Sequence, residues 1–144
     1  MTESDLEDLI TALCRIPEDF KRRGNVSAIE LVDASGYLDH RGEVTVEILH
    51  ERFASNPELI DAWEAWSDDN RSSPAWFVRE RGAHNFEVGR MDRRGKITTL
   101  YTFDDRALAC AEYVRREIDQ LADHAEWWFH PWRQIKRRLI WSKD

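Results

Sequence analysis

The stretch AWFVRERGAHNFEVGRMDRRGKITTLYTFDDRALACAEYVRREIDQL, residues 75–121, decides the fold of this chain. It begins with three runs rich in aromatic and β-branched residues, which strands favour. These runs are 75–78, 86–88 and 97–103. The two gaps between them are short and each contains a glycine, as the turns of antiparallel hairpins require. The pattern predicts a three-stranded antiparallel meander.

A long helix is predicted directly after the third strand. In that strand the alternate positions from Ile97 to Phe103 are expected to share one face. The carboxylates of Asp104 and Asp105 suit a helix N-terminus, because they accept hydrogen bonds from its unpaired N–H groups. Apolar residues then recur at spacings of three, four and seven, which predicts a helix with one buried stripe. The stripe consists of Ala107, Cys110, Ala111, Val114, Ile118 and Leu121.

Helices are predicted on both sides of this unit. Ser4 and Asp5 are candidate caps of a first helix, and Gly24 after three basic residues is a typical helix end. Asn56 followed by Pro57 predicts another helix start. The fold class is therefore α+β, with N-terminal helices, the meander, a long helix packed on the sheet and a short C-terminal helix. With 144 residues and no linker, residues 1–144 are expected to form a single domain.

Composition narrows the class of protein. Apolar residues make up 42% of the chain and charged residues 34%, but seven tryptophans argue against disorder. No run of about 18 apolar residues is present, so no membrane association is expected. The acidic start lacks the features of a signal peptide, so we expect a cytoplasmic protein. Cys14 and Cys110 are isolated, and Cys110 on the apolar stripe is expected to be a buried small hydrophobe.

Motifs for catalysis, metals or cofactors are absent from the sequence. The histidines at 40, 50, 84, 124 and 130 form no HExxH motif, and there is no CxxC pair. The six glycines form no phosphate-binding loop, and no GxSxG elbow occurs. The sequence therefore gives no support for a catalytic residue, a metal site or a cofactor.

Charge is distributed unevenly along the chain. Residues 1–70 carry 17 Asp and Glu against 6 Lys and Arg, a net charge of −11, whereas residues 71–144 carry +4. An acidic half repels nucleic acid and attracts basic partners, so no direct nucleic-acid binding is expected there. Its carboxylates are either a solvated surface or a docking face for a basic protein. The candidate docking residues are Glu47, Glu51, Glu58, Asp61, Glu64, Asp68 and Asp69, with Trp63 or Trp66 as aromatic anchor and Arg71 beside them.

The C-terminal segment leaves three interpretations open. In the first, Trp127, Phe129, Trp132 and Leu139 pack onto the core. In the second, the interleaved aromatic and basic residues bind nucleic acid or a membrane surface. The basic residues concerned are Arg133, Lys136, Arg137 and Arg138. In the third, a ligand-binding or enzymatic pocket near this segment uses His124 or His130 with carboxylates.

The order of elements between residues 56 and 118 resembles a known family. It runs from NPELIDAW at 56–63 through SDDNRSSPAWF at 67–77 and YTFDD at 101–105 to ACAEYV at 109–114. This stretch is similar to the small immunity proteins that bacteria make against polymorphic toxins, including those of contact-dependent growth inhibition.

The resemblance implies a cytoplasmic protein without enzymatic activity that binds one cognate toxin domain and inhibits it. Such toxins are often nucleases, whose active sites are basic because they bind phosphates. A cluster of carboxylates can occupy such a site as a mimic of the phosphate backbone.

Overall fold

A computed structural model describes residues 1–69, 75–133 and 135 of the chain. It has an α+β architecture, as the sequence predicts. Along the chain the helices and strands are α1 (Glu3–Cys14), α2 (Ile16–Arg23), α3 (Ala28–Ser35), two 3-10 turns (Tyr37–Asp39 and Arg41–Glu43), α4 (Val46–Ser55), α5 (Pro57–Asp69), β1 (Ala75–Gly82), β2 (Asn85–Met91), β3 (Ile97–Phe103) and α6 (Arg106–Phe129). A short C-terminal helix follows at 131–133.

Local side-chain chemistry sets the helix ends. Asp105 caps α6 by accepting from the N–H groups of Ala107 and Leu108, which confirms the predicted cap. Gly24 ends α2 with a φ of 72°, a left-handed conformation that glycine adopts without strain. The predicted start of α1 is wrong by two residues. Thr2 is its cap, and Asp5 completes the capping box by accepting from the Thr2 N–H.

The sheet is an antiparallel meander in the order β1-β2-β3. Val88 at its centre pairs with Val78 on one side and with Tyr101 on the other. The next residue of β2, Gly89, pairs with Thr99, so Leu100 is an extra residue in β3. This bulge interrupts the expected alternation along β3, because the two ends of the strand no longer share one continuous face.

α6 is the central helix of the fold. Five of its predicted stripe positions, from Ala107 to Ile118, are buried, and Leu121 is partly buried against the same core. One side of α6 packs against α3 and α4, and it also contacts all three strands. The helix continues to Phe129, beyond the predicted stripe, because Ala122 and Ala125 extend the buried face.

The N-terminal helices complete the core around α5. Trp63 is fully buried there, and its indole N–H donates to the carbonyl oxygen of Cys14 at 2.9 Å. Tyr37 and Phe53 are buried in the same cluster. Among the helices that the structure describes, none is both long enough and apolar enough to cross a membrane.

Candidate functional site

The described residues hold neither a cluster of metal-ligating side chains nor an exposed cysteine. No group of three or more His, Cys, Asp or Glu side chains within them could hold a metal ion. Both cysteines are buried. Burial raises the pKa of Cys14 to about 12, so its thiol is not poised as a nucleophile. The candidate site is therefore sought among the predicted docking residues on α4 and α5.

The predicted acidic residues are mostly exposed. Glu64 is half-buried, and the exposed ones are Glu47, Glu51, Glu58, Asp61, Asp68 and Asp69. Within the part of the chain that the structure describes, five of them form no ion pair with a basic side chain. Those five are Glu47, Glu51, Glu58, Asp68 and Asp69. Their charge is available to a partner at the protein surface.

Asp61 and Glu64 have a different environment. Arg106, the first residue of α6, donates to Asp61 Oδ1 at 2.6 Å and from its Nε to Glu64 Oε2 at 3.2 Å. A second guanidinium N–H also contacts Glu64. The hydrogen bonds to Glu64 raise the pKa of Arg106 most, and the hydrogen bond to Asp61 raises it further. These two carboxylates tie α5 to α6 and are largely neutralised within the protein itself.

The remaining acids on α5 lie on different sides of the helix. Glu58 lines a groove together with Arg15 and Arg52. Asp68 lies beside the sheet, in a depression that Ile97 also lines. Asp69 borders the side of α5 that faces α2. The structure thus does not bring the predicted set together into one continuous acidic face, because successive acids on α5 are rotated around the helix axis. Arg71 lies outside the described residues.

Only one of the two candidate anchors is placed to meet a partner. Trp63 is buried in the core, so the prediction that it could serve as an anchor is wrong. Trp66 is half-buried at the surface, edge-to-face with Trp63 at 6.1 Å between ring centroids. On its other side the exposed ring of Phe20 packs edge-on at 5.2 Å. The indole N–H of Trp66 has no hydrogen-bond acceptor among the described residues.

Trp66 forms part of a groove between α2 and α5. The groove has a volume of about 320 Å³ and is lined by Pro17, Phe20, Lys21, Ala62, Ala65, Trp66 and Asp69. The two alanines leave room beside the aromatic rings, and one charged side chain of each sign lies at the margin. An apolar centre with a charged rim is the arrangement found at protein–protein hot spots. We call this feature the α2–α5 groove.

Comparison with known proteins identified no relative of this chain. No model of a known protein family, no curated protein and no solved structure matches this chain. Any functional interpretation therefore depends on the α2–α5 groove, with Asp69 at its margin, and on the exposed acids elsewhere on α4 and α5.

The C-terminal aromatic residues differ from the prediction that they pack onto the core. Trp127 and Phe129 are about half exposed, and Trp128 and Trp132 are 76% and 73% exposed. Ala125 and Glu126, directly before Trp127, are fully buried, so the aromatic side chains lie on the solvent side of a segment that itself contacts the core. Leu139 lies outside the described residues, as do Lys136, Arg137 and Arg138.

The two histidines proposed for a C-terminal pocket have different surroundings, and one of them contacts a carboxylate. His124 is exposed, whereas His130 contacts Asp33 of α3 at 2.8 Å. Arg133 donates to Asp39 at 2.9 Å and so helps to hold the segment against the body of the protein. His130 and Arg133 therefore have a structural role, since each binds an acidic residue of the N-terminal half.

The α2–α5 groove was not predicted from the sequence. A second stripe was present on α5, where Ala62, Ala65, Trp66 and Asp69 recur at spacings of three and four. Phe20 lies three residues after Pro17 on α2 and supplies the opposite wall. The sequence contains both stripes but not the information that they face each other.

Proposed function

We propose that this chain is a binding protein that neutralises a basic toxin domain, in the manner of a bacterial immunity protein. The observation that carries the proposal is the α2–α5 groove, an aromatic-walled depression on the helix that also bears the exposed acids Glu58, Asp68 and Asp69. An apolar side chain of the toxin domain inserts beside Trp66, and a basic side chain meets Asp69 at the margin of the groove.

Charge supports the choice of a basic partner. The net charge of −11 on residues 1–70 lies in the part of the chain that forms α1 to α5. Opposed charges steer encounter and can raise association rate constants to about 10⁸–10⁹ M⁻¹s⁻¹ at low salt. A nucleic-acid-cleaving toxin presents the basic surface that such a field attracts.

Inhibition by this route needs no chemical step. Carboxylates that occupy a phosphate-binding surface exclude the substrate for as long as the complex lasts. The half-buried indole of Trp66 supplies contact area at low entropic loss, because its ring is already held between Phe20 and Trp63.

The experiment uses the protein encoded immediately upstream of this chain. Its C-terminal domain is expressed with and without the full chain, and growth of the host is measured. Protection together with a nanomolar complex in calorimetry supports the proposal. A neighbour that is harmless to the host, or a toxic one that the chain neither binds nor neutralises, contradicts it.

Two variants test the site. The first combines Glu58→Gln, Asp68→Asn and Asp69→Asn, and we expect association about tenfold slower. Its matched control combines Glu3→Gln, Asp8→Asn and Glu80→Gln, exposed acids elsewhere that give the same change in net charge, from −7 to −4.

The second variant, Ala65→Arg, fills the α2–α5 groove without removing a core side chain, since Ala65 is exposed. It should weaken binding at least tenfold while the circular dichroism spectrum stays unchanged. Wild-type affinity in both variants would show that the toxin domain binds elsewhere.

A second candidate function is binding of single-stranded nucleic acid at the end of α6. The exposure of Trp128 and Trp132 favours it, because bases stack on exposed aromatic rings near basic residues. Salt-sensitive binding of a fluorescent oligonucleotide, lost in Trp128→Ala with Trp132→Ala, is the result that this candidate requires.

A further inference from the structure

Arginines without an acidic partner are concentrated at one end of the sheet. Among the arginines that the structure describes, four form no ion pair with a described carboxylate: Arg23, Arg90, Arg93 and Arg94. The last three lie at the end of β2 and in the turn to β3, where Lys96 is also exposed. Residues 90–96 thus carry four bases against one acid, a local charge of +3 in a protein of net charge −7.

The one acid of this segment, Asp92, shapes the turn. Its Oδ1 accepts from the backbone N–H groups of Arg94 and Lys96, both at 2.9 Å. Its own N–H donates to the carbonyl oxygen of Lys96 at 2.9 Å, and its carbonyl oxygen accepts from the N–H of Gly95 at 3.0 Å. Residues 92–96 are all exposed, so the three basic side chains of the turn are presented to solvent from a hydrogen-bonded backbone.

Arg90 extends this basic segment from the turn onto the sheet. It pairs with Trp76 of β1 and Thr98 of β3, so the three side chains share one face. The Arg90 guanidinium lies over the Trp76 ring, 5.5 Å from its centroid. Arg116 of α6 lies over the same ring at 5.4 Å, but Glu112 already binds it. The ring orients the exposed Arg90 and leaves its charge and N–H groups for an anion.

The exposed acid Asp68 lies on the other side of the sheet. It lines a depression together with Met91 and Ile97. These two residues adjoin Arg90 and Thr98 along their strands, and successive side chains of a strand point to opposite faces. The face that carries Arg90 is therefore not the face that Asp68 borders.

We propose that residues 90–96, the basic segment, bind the phosphate backbone of duplex DNA. Guanidinium and ammonium N–H groups fit phosphate oxygens, and such contacts need no particular base sequence. The three steps from Arg90 to Arg93 span about 10 Å at about 3.3 Å per residue. Each DNA strand carries a phosphate about every 3.4 Å along the axis, so several phosphates meet the segment at once. An acidic protein surface lacks this regular spacing of charge.

Binding of this kind depends steeply on salt. Neutralising four phosphates predicts a slope of about −3.6 for the logarithm of the association constant against the logarithm of salt concentration. Each doubling of salt should therefore lower the affinity about tenfold. The small number of contacts indicates weak binding, with a dissociation constant on the order of 10 µM at about 25 mM salt.

The test is fluorescence anisotropy of a labelled duplex of about 15 base pairs, titrated with the full chain at about 25 and 50 mM salt. Arg93→Gln with Arg94→Gln should bind at least about tenfold more weakly, because two of the four charges are gone. The matched control, Lys21→Gln with Arg23→Gln, removes two exposed bases of α2 and should bind as the wild type does. Both variants change the net charge from −7 to −9, and all four side chains are exposed, so both are expected to fold.

Nuclear magnetic resonance locates the site independently, since the backbone amide signals of residues 90–96 should shift on addition of the duplex and those of α2 should not. A polyglutamate peptide probes the alternative, an acidic protein partner. The proposal is overturned by a duplex that does not bind at about 500 µM protein, by equal loss of affinity in the control, or by polyglutamate binding as tightly as DNA. The experiment uses no toxin domain, so its outcome is separate from that of the proposed function. A duplex also presents no unstacked bases to the exposed tryptophans at the end of α6.

Discussion

Replacement of Gly89 by alanine tests the geometry of the sheet most severely. Gly89 is the β2 residue that pairs with Phe77 of β1 and Thr99 of β3, next to the bulge. A Cβ at this position would lie 2.2 Å from the carbonyl oxygen of Thr98 and 2.6 Å from Cζ of Phe77. Both distances are far inside van der Waals contact.

The size of the effect follows from which atoms must move. The Phe77 ring can rotate away, but the Thr98 oxygen belongs to the backbone of β3 and moves only if the strand moves. Overpacking in well-packed regions costs about 1–3 kcal/mol, and a clash with backbone belongs at or above the upper end. We expect Gly89→Ala to lower the free energy of unfolding by at least about 3 kcal/mol.

Urea unfolding followed by far-UV circular dichroism measures this change in the free energy of unfolding. With a slope of about 1–3 kcal/mol/M, the midpoint should fall by about 1 M or more. Gly82→Ala is the matched control in the same sheet, because nothing lies within 4 Å of its added Cβ. That control should change stability by less than about 1 kcal/mol. A Gly89→Ala midpoint equal to that of Gly82→Ala would refute the arrangement of β2 between Phe77 and β3.

Three further predictions concern other contacts. Ser67→Ala removes both hydrogen bonds to the β1 edge and should cost about 2–4 kcal/mol in urea unfolding, whereas exposed Ser55→Ala should have little effect. For Asp105, burial alone would raise its pKa, but the first N–H groups of α6 and a neighbouring imidazole outweigh burial and lower that pKa. Its stabilisation is therefore present above the unfolded pKa of about 3.9 and is lost as the pH falls through the lower native value. Asp105→Ala should cost about 1–2 kcal/mol at neutral pH, and acid titration of both proteins should show the difference shrinking below about pH 4. Burial raises the pKa of both Cys14 and Cys110, so Ellman's reagent should label neither thiol until urea unfolds the chain.

Local patterns were sufficient to predict the centre of the fold. The residues from Ala107 to Leu121 form a single apolar face that is visible in their spacing. Asp105 caps the helix through hydrogen bonds to residues two and three positions away. The meander likewise follows from short connections between adjacent strands. In each case the information lies within a few residues along the chain.

Contacts between distant residues could not be predicted in this way. Arg106 binds Glu64 across 42 positions of sequence, and no local pattern indicates that the carboxylate has an internal partner. Trp63 and Trp66 lie three residues apart on α5, yet one is buried and the other lines a groove. Which tryptophan is buried depends on how α1 and α2 fold over the helix.

The end of α6 illustrates a different limit. Trp127, Trp128 and Trp132 are expected in a core on hydrophobicity alone. They are exposed although Ala125 and Glu126 beside them are fully buried, because their side chains lie on the solvent side of the chain. Hydrophobicity predicts that such residues favour burial, but not whether the chain supplies a surface to cover them.

We propose that this protein acts by binding a basic partner through the helices of its acidic half. The most direct measurement is the association rate constant with the upstream-encoded toxin domain, followed by stopped-flow fluorescence at increasing ionic strength. We predict a fall of at least about tenfold between about 20 mM and 500 mM salt, and a smaller fall for the variant lacking the charges of Glu58, Asp68 and Asp69. A rate constant independent of salt, or one with the same salt dependence in that variant, would contradict the claim.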